Sequence, residues 1–261
     1  MFETPDNEVS RTHDDPIRKW LKRLRIYGSN LYRPRLIDIW RSAQAVCLEP
    51  GSLLTKLGGL DVGALSSLSG EFADLRSTLL ERAGSPGSLE AISMAMTHEE
   101  SFLLYAIVRR FQPRVVVETG VASGVSTFFL LHALRKNQSG RLTSFDVSPT
   151  AGALIRPEEK ADWRFIALDP KNARREFREH VAQQGPIELF IHDSDHSYGH
   201  QSFEYASVLP HLRPGTLLAS DDVDACFAFI DFCAQHHFSP FYLISPTKAF
   251  GITRVGSPVA E

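Results

Sequence analysis

Two short segments of this sequence concentrate side chains that could bind a cation or move a proton. Residues 191–198 read Ile-His-Asp-Ser-Asp-His-Ser-Tyr, and residues 220–222 read Ser-Asp-Asp. Each segment lies at the end of a predicted strand, so the two are expected at adjacent strand ends. Crowded carboxylates repel one another and are costly to desolvate, and a divalent cation removes that repulsion. Oxygen ligands of this kind suit Mg²⁺ or Mn²⁺.

The residues of these segments can be given separate roles. We predict that Asp193, Asp221 and Asp222 ligate one divalent ion and that Asp195 or His196 accepts a proton. Histidine has the more suitable ordinary pKa, near ~6.5, whereas Asp195 would need burial to raise its own. These residues alone leave the choice between the two bases open.

Helix capping is the alternative explanation for part of this set. Asp221 and Asp222 stand before an apparent helix, and Ser197 could cap the helix that follows it. Four carboxylates and a histidine would be expensive to assemble for stability alone, which favours a functional site.

A glycine-containing turn follows the apolar strand of residues 115–117. Glu118 closes the strand, Gly120 and Gly124 lie in the turn, and a helical run starts at Val125. Glycine lets the backbone pass close to a ligand, and a helix N-terminus offers unpaired N–H groups. This order predicts a nucleotide-sized binding site, although two glycines alone would also suit an ordinary βα turn.

Strands and helices alternate from Met94 onward. Strands are predicted near 114–118, 141–146, 163–168, 187–192 and 215–220, and helices near 124–136, 171–184, 199–209 and 222–236. This alternation predicts a parallel sheet with helices on both faces. Residues 241–244 and 250–255 flank a turn and predict a hairpin, so the last strand should run antiparallel. The fold class is therefore α/β, Rossmann-like, with a seven-stranded mixed sheet.

The chain before this alternation reads as a helical extension. Helices are predicted from Asp14 onward, over residues 35–48 and over residues 72–82, and no strand is predicted there. The Gly/Ser/Pro stretch at 83–88 is the clearest linker, so we divide the chain into an extension, 1–88, and a binding domain, 89–261. We expect the extension to act as a lid or in dimerisation. In the binding domain, Thr97 and Glu100 form a predicted capping box.

Composition narrows the class of protein. The chain has 261 residues, 43% of them hydrophobic and 23% charged, which is ordinary for a globular protein. The net charge of −3 and the short basic clusters give no reason to expect a nucleic-acid partner. The sequence shows neither an apolar run of membrane-spanning length nor a secretory signal, and its three cysteines are scattered. We expect a cytoplasmic enzyme without a membrane partner, and homo-oligomer formation stays open.

Residues 116–127 resemble motif I of the class I S-adenosylmethionine-dependent methyltransferases. In that motif the terminal carboxylate and the loop hold the methionine end of the cofactor. The resemblance implies cofactor contacts for these residues: Glu118, Gly120, Ala122, Ser123, Gly124, Ser126 and Thr127. The G-x-G-x-x-G pattern of NAD-binding proteins fits less well, because its middle glycine is missing and an acid ends the strand.

Three segments together resemble the family that contains macrocin-type sugar O-methyltransferases: residues 116–127, 191–198 and 212–223. The resemblance implies S-adenosylmethionine as cofactor, Mg²⁺ or Mn²⁺ as metal, and a hydroxyl on a sugar or natural product as acceptor. The spacing from Asp193 to the acids at 221–222 is also similar to the metal site of catechol-type O-methyltransferases.

Three acids after successive strands complete the predicted cofactor site. Asp146 ends the strand 141–146, where an acid can accept both ribose hydroxyls. The resemblance implies that Asp169 contacts the adenine and that Asp193 contacts the cofactor. A helix cap is the alternative for Asp146, and for Asp169 the cap explains the sequence nearly as well.

Two other functions share some of these features. One is a nicotinamide-dependent Rossmann oxidoreductase, which the acidic strand end, the missing glycine and the reversed last strand disfavour. The other is a non-catalytic cofactor-binding subunit, against which Asp193, Asp195 and His196 argue.

Overall fold

Eight strands form one mixed sheet in the computed structural model, which describes residues 46–58, 62–84, 87–92, 95–245 and 248–256. The strands are β1 Val46–Cys47, β2 Val115–Thr119, β3 Arg141–Asp146, β4 Trp163–Ala167, β5 Ile187–His192, β6 Leu212–Ser220, β7 Pro240–Ile244 and β8 Ala249–Arg254. The helices are α1 Pro50–Gly58, α2 Val62–Arg82, α3 His98–Phe111, α4 Val125–Asn137, α5 Ala173–Val181, α6 Tyr198–Val208 and α7 Ala228–Gln235.

The strand order confirms the predicted α/β fold with a reversed strand. The order is β1-β7-β8-β6-β5-β2-β3-β4, and β8 pairs antiparallel with both β6 and β7. The other pairings of these strands are parallel. The carboxyl ends of β2 to β6 therefore meet at one edge of the sheet, where ligands bind in open α/β folds.

Two predictions about the extension were wrong. Residues 46–47 form strand β1, which pairs parallel with β7, so the sheet has eight strands rather than seven. The helix predicted over residues 35–48 therefore cannot reach residue 48, and its earlier part, like the helix predicted after Asp14, lies outside the described residues. A two-residue strand is too short to show an alternating pattern in the sequence. The helix predicted over 72–82 is confirmed as part of α2.

The helix predicted near 222–236 begins later than expected, at Ala228. Asp222 has a positive φ of 47°, so the chain turns away from the helical conformation directly after β6. The N-cap position of α7 is Phe227. The acids at 221 and 222 are thus not caps of this helix, and the capping alternative for them was wrong.

Two apolar cores cover the two faces of the sheet, because successive strand residues point to opposite sides. Val116 packs in a core with α1 to α4, and Val117 packs in a core with α5 to α7. Leu54 of α1 and Leu79 of α2 are buried in the first core, so the described part of the extension shares the core of the sheet. Among the described residues, no helix combines the length and apolar character needed to span a bilayer.

Candidate functional site

A cavity of about 640 Å³ opens at the carboxyl ends of β2, β3 and β5. This volume suits a nucleotide-sized ligand. Its lining residues are Thr119, Gly120, Ala122, Ser123, Phe145, Asp146, Val147, Ser148, Thr150, Ala151, Leu168, Ala173, Arg174, Phe177, Asp193, Ser194, Asp195, His200, Phe203 and Glu204. The glycine turn and the acid-rich segment after β5, which are distant in sequence, therefore face the same space.

The glycine turn is held in a conformation that other residues would not adopt easily. Gly120 has a φ of +80°, and a Cβ built on it would lie 1.8 Å from the backbone oxygen of Asp193. Gly124, with a φ of +96°, is the N-cap residue of α4. Ala122 also has a positive φ, 45°, although it carries a side chain. Such strain persists only where neighbouring contacts hold it.

Asp146 supplies part of that support. Its Oδ2 accepts hydrogen bonds from the backbone amides of Val121 and Ala122, at 2.8 and 3.0 Å. Its Oδ1 accepts one from the amide of Ser148, at 2.8 Å. No helix starts at this position, so the side chain braces the glycine turn while it lines the cavity.

Glu118 lies beside the cavity but points away from it. The side chain is fully buried and accepts hydrogen bonds from Ser126, Thr127 and Ser144 at 2.6 to 2.8 Å. Burial raises the pKa of Glu118, and the three hydroxyl groups partly oppose that shift. Of the predicted cofactor contacts, Glu118, Ser126 and Thr127 are thus engaged with one another and do not line the cavity.

The side chain of Asp169 also does not line the cavity. Its carboxylate accepts hydrogen bonds from the amide of Lys171 and from the side chain of Asn172, at 3.0 and 2.8 Å. Asn172, rather than Asp169, is the N-cap residue of α5. Leu168 lines the cavity in place of the predicted acid.

Acids after β5 and β6 lie close together, and His196 rather than the predicted Asp222 is the third member of the cluster. One ligand atom each from Asp193, His196 and Asp221 lies within 4.8 Å of the others. The Nε2 of His196 is 3.8 Å from Asp193 Oδ1 and 3.7 Å from Asp222 Oδ2. The Oδ1 of Asp221 is buried and has no hydrogen-bond partner among the described residues. Two carboxylates, one of which has an unused buried oxygen, and an imidazole fit a divalent cation.

Two residues that sequence reasoning did not assign to this site complete the cluster. The ammonium group of Lys248 lies 2.6 Å from Asp221 Oδ2 and 3.0 Å from Glu100 Oε2. Glu100 was predicted only as a helix-capping residue, and it does form the capping box with Thr97. Burial, with repulsion from Asp221, raises the pKa of Glu100 to about 8. No sequence signal connects these residues, because they come from α3 and from the β7–β8 turn.

The two predicted bases have different surroundings. Asp195 lines the cavity, and a hydrogen bond from the amide of Ser197 lowers its pKa. His196 is partly buried, and burial lowers its pKa despite the charge of Asp222. A neutral imidazole can accept a proton, whereas an exposed and stabilised carboxylate is a weak base. Ser197 is the N-cap residue of α6, but its side chain makes no capping hydrogen bond.

A buried carboxylate, that of Glu204, joins several residues at the cavity in one hydrogen-bond network. Glu204 accepts hydrogen bonds from Thr119 at 2.7 Å and Ser194 at 2.9 Å, and it lies 2.7 Å from His192 Nδ1 and 2.9 Å from His200 Nε2. Burial acts to raise the pKa of Glu204, but the charge and hydrogen bonds of the two histidines lower it. Sequence reasoning missed this network, although Glu204 is one helical turn beyond His200.

Comparison with known proteins shows what this part of the chain is similar to. Residues 117–223 match the model of a family described as "Methyltransferase domain". The matched segment contains the glycine turn and both acid-rich strand ends. This part of the chain is therefore similar to a methyltransferase domain. The match runs from β2 to just past β6 and leaves the extension outside it. No curated protein matches the sequence.

Solved methyltransferases share this fold at low sequence identity. The methyltransferase PaMTH1 of Podospora anserina, bound to S-adenosylhomocysteine, gives a TM-score of 0.54 at 12% identity and covers 76% of this chain and 98% of its own. A Klebsiella pneumoniae protein described as a putative O-methyltransferase gives 0.53 at 17% identity, covering 79% and 96%. MycE of the mycinamycin pathway, bound to Mg and S-adenosylhomocysteine, gives 0.50 at 15% identity, covering 69% and 54%.

Proposed function

We propose that this protein transfers a methyl group from S-adenosylmethionine to a hydroxyl group of a small molecule, such as a sugar or another natural product. One observation carries most of the proposal: Asp193 belongs both to the cavity wall and to the acid cluster. A methyl donor in the cavity and an acceptor hydroxyl at the cluster would therefore meet at this residue.

Cofactor binding is assigned to the residues that line the cavity. Gly120, Ala122 and Ser123 present the backbone of the turn, and the acids Asp146 and Asp193 flank it. The Oδ2 of Asp146 already holds two turn amides, so a ribose would have to share this carboxylate with the protein backbone. A charged acceptor that is fixed in place binds hydroxyl groups more strongly than a mobile one.

Proton transfer is assigned to His196. In the reaction, a lone pair of the acceptor oxygen forms a bond to the methyl carbon while the carbon–sulfur bond breaks and its electrons pass to sulfur. The proton of the hydroxyl goes to Nε2 of His196, whose lowered pKa leaves the ring neutral near pH 7. Asp195 is the second choice, because the Ser197 amide already stabilises its charged form.

The second part of the proposal is that a metal ion assists the reaction. Asp193, Asp221 and Asp222 would hold a divalent ion such as Mg²⁺ or Mn²⁺. Such an ion acidifies and orients a hydroxyl, which is what the methyl-transfer step requires. His196 is close enough to these acids to be a ligand instead of the base. One lone pair cannot serve both roles, so the two assignments can be separated by experiment.

Transfer of label from [methyl-³H]S-adenosylmethionine to a panel of hydroxylated small molecules tests the proposal. We expect labelled product from the wild type and loss of label transfer in Asp193→Asn. His196→Ala should lose activity while it keeps metal affinity if His196 is the base, and lose both if it is a ligand. Activity that survives EDTA would remove the metal part, and tight NADH binding without binding of S-adenosylhomocysteine would refute the proposal as a whole.

A further inference from the structure

The last residue of α2 in the extension reaches the loop that borders the cofactor cavity. Arg82 Nη1 donates a hydrogen bond to the carbonyl oxygen of Leu154 at 2.6 Å, and both Nη atoms bond the carboxylate of Glu159 at 2.7 and 2.9 Å. The guanidinium also lies over the ring of Phe128 in α4, 5.0 Å from its centroid. The side chains of Arg82 and Glu159 are only 10% and 6% exposed, so this ion pair is buried.

Three residues contact the carboxylate of Glu159. Besides Arg82, the amide of Arg156 donates to it at 2.8 Å, and His132 Nε2 lies 3.1 Å away. Burial alone would raise the pKa of Glu159, but these hydrogen bonds and the charge of Arg82 lower it to about 2. A bidentate arginine–carboxylate pair of this kind has a defined geometry and can set the position of a loop.

The loop that Arg82 holds is itself attached to the glycine turn. We call residues 147–156 the cofactor loop. The amide of Gly152 donates to the carbonyl of Ala122 at 2.8 Å, and the amide of Leu154 donates to that of Ser123 at 3.0 Å. These are two of the turn residues that line the cavity, and Ala122 has the strained positive φ.

The first half of the cofactor loop forms part of the cavity wall. The loop residues that line the cavity are Val147, Ser148, Thr150 and Ala151. The loop has no strand or α-helix of its own, so its position depends on its contacts. Arg82 contacts the second half of the loop at Leu154 and is therefore linked to the glycine turn through one residue, whose amide bonds Ser123.

We propose that Arg82 is a positioning residue for the cofactor, by which the extension holds the cofactor loop against the glycine turn. The inference rests on the proposed function, in that the ligand of the cavity is S-adenosylmethionine. It gives the extension a role that does not depend on covering the active site. Small displacements of groups that bind a ligand are enough to weaken binding by an order of magnitude.

A second ion pair of α2 offers a matched control. Arg109 Nε lies 3.2 Å from Glu71, and Tyr105 donates to the same carboxylate at 2.7 Å. These contacts also join α2 to the binding domain, but they lie near the C-terminal end of α3. None of the three residues lines the cavity. Their loss should lower stability without moving the cofactor loop.

The experiment compares the affinity for S-adenosylhomocysteine of the full-length wild type with that of Arg82→Met, Arg82→Lys and Arg109→Met by calorimetry. We expect the Kd to rise about ten-fold or more in Arg82→Met, less in Arg82→Lys, and less than about two-fold in Arg109→Met. Amide hydrogen exchange at Gly152 and Leu154 should become faster in both Arg82 variants and stay unchanged in Arg109→Met, which separates positioning from general stability. If Arg82→Met does not fold, Arg82→Lys carries the test.

Two results would overturn the inference. One is unchanged Kd and unchanged exchange at Gly152 and Leu154 in the Arg82 variants. The other is an equal rise of Kd in Arg109→Met, which would mean that any loss of stability weakens binding. A wild type that does not bind S-adenosylhomocysteine would instead refute the proposed function, and the exchange measurement would still decide whether Arg82 holds the loop.

Discussion

Replacement of Lys248 by Met should increase the affinity of the acid cluster for a divalent cation. The ammonium group lies 2.6 Å from Asp221 and 3.0 Å from Glu100, so the cluster contains a positive charge of its own. A divalent ion at Asp193 and Asp221 would be repelled by that charge. Met keeps much of the length of the side chain and removes only the cationic head.

The expected size follows from Coulomb's law. Two unit charges about 4 Å apart interact by about 4 kcal/mol at an effective dielectric constant of about 20, so an ammonium group repels a divalent ion at that distance by about 8 kcal/mol. If screening leaves one sixth of this, about 1.4 kcal/mol, the affinity for Mn²⁺ increases about ten-fold. Lys248 opposes the raised pKa of Glu100, about 8, so its loss would raise that pKa further and leave the carboxyl protonated near pH 7, which limits the damage to the fold.

Mn²⁺ binding, followed by the loss of the free-ion signal in electron paramagnetic resonance, measures this effect. Lys248→Arg keeps the charge and should bind Mn²⁺ like the wild type. The double variant Lys248→Met/Glu100→Gln replaces both groups with uncharged side chains and should also bind more tightly than the wild type, since Asp193 and Asp221 remain. Affinity in Lys248→Met equal to or below that of the wild type would refute the electrostatic reasoning. Absence of binding in every variant would refute the metal site itself.

Three further predictions concern the fold around the cavity. Asp146→Ala should weaken S-adenosylhomocysteine binding at least about ten-fold in calorimetry, because the glycine turn loses charge-assisted hydrogen bonds, and unchanged affinity would contradict this role. Gly120→Ala should destabilise the fold by more than about 2 kcal/mol in urea unfolding, whereas Gly70→Ala, with open space around its Cβ, should stabilise α2 by up to about 1 kcal/mol. Glu159 has its pKa lowered from 4.5 to about 2, so its stabilising effect is present above pH 4.5 and is lost as the pH falls towards 2. The melting-temperature difference between wild type and Arg82→Met should therefore shrink over that range, and a constant difference would count against the ion pair.

Local patterns in the sequence were enough to predict most of the fold from β2 to β8. An apolar strand, a glycine turn and a helix follow one another in β2 and α4, and the alternation that continues to β6 allows only a parallel sheet with helices on both faces. The approach of Asp193 to Asp221 was predictable for the same reason, because the carboxyl ends of neighbouring parallel strands meet at one edge. The hairpin of β7 and β8 followed from the turn between two apolar runs.

The face of β2 on which the Glu118 side chain lies could also have been derived from the sequence. Side chains along a strand alternate between the two faces, so Glu118 shares the face of Val116, which packs with α3 and α4. It therefore meets Ser126 and Thr127 at the start of α4 rather than the cavity. The resemblance to motif I favoured a cofactor contact, and the period of the strand was the better guide.

Other features depended on contacts between distant parts of the chain. Strand β1 exists because β7 offers it a partner, and two residues cannot carry a pattern. Lys248 and Glu100 reach Asp221 from the last hairpin and from α3, and Arg82 reaches Glu159 across 77 positions of sequence. Sequence periodicity reports which face of an element is buried, but it does not report which charged side chain of another element will lie opposite. The charge balance of the acid cluster and the support of the cofactor loop were therefore decided by the tertiary structure alone.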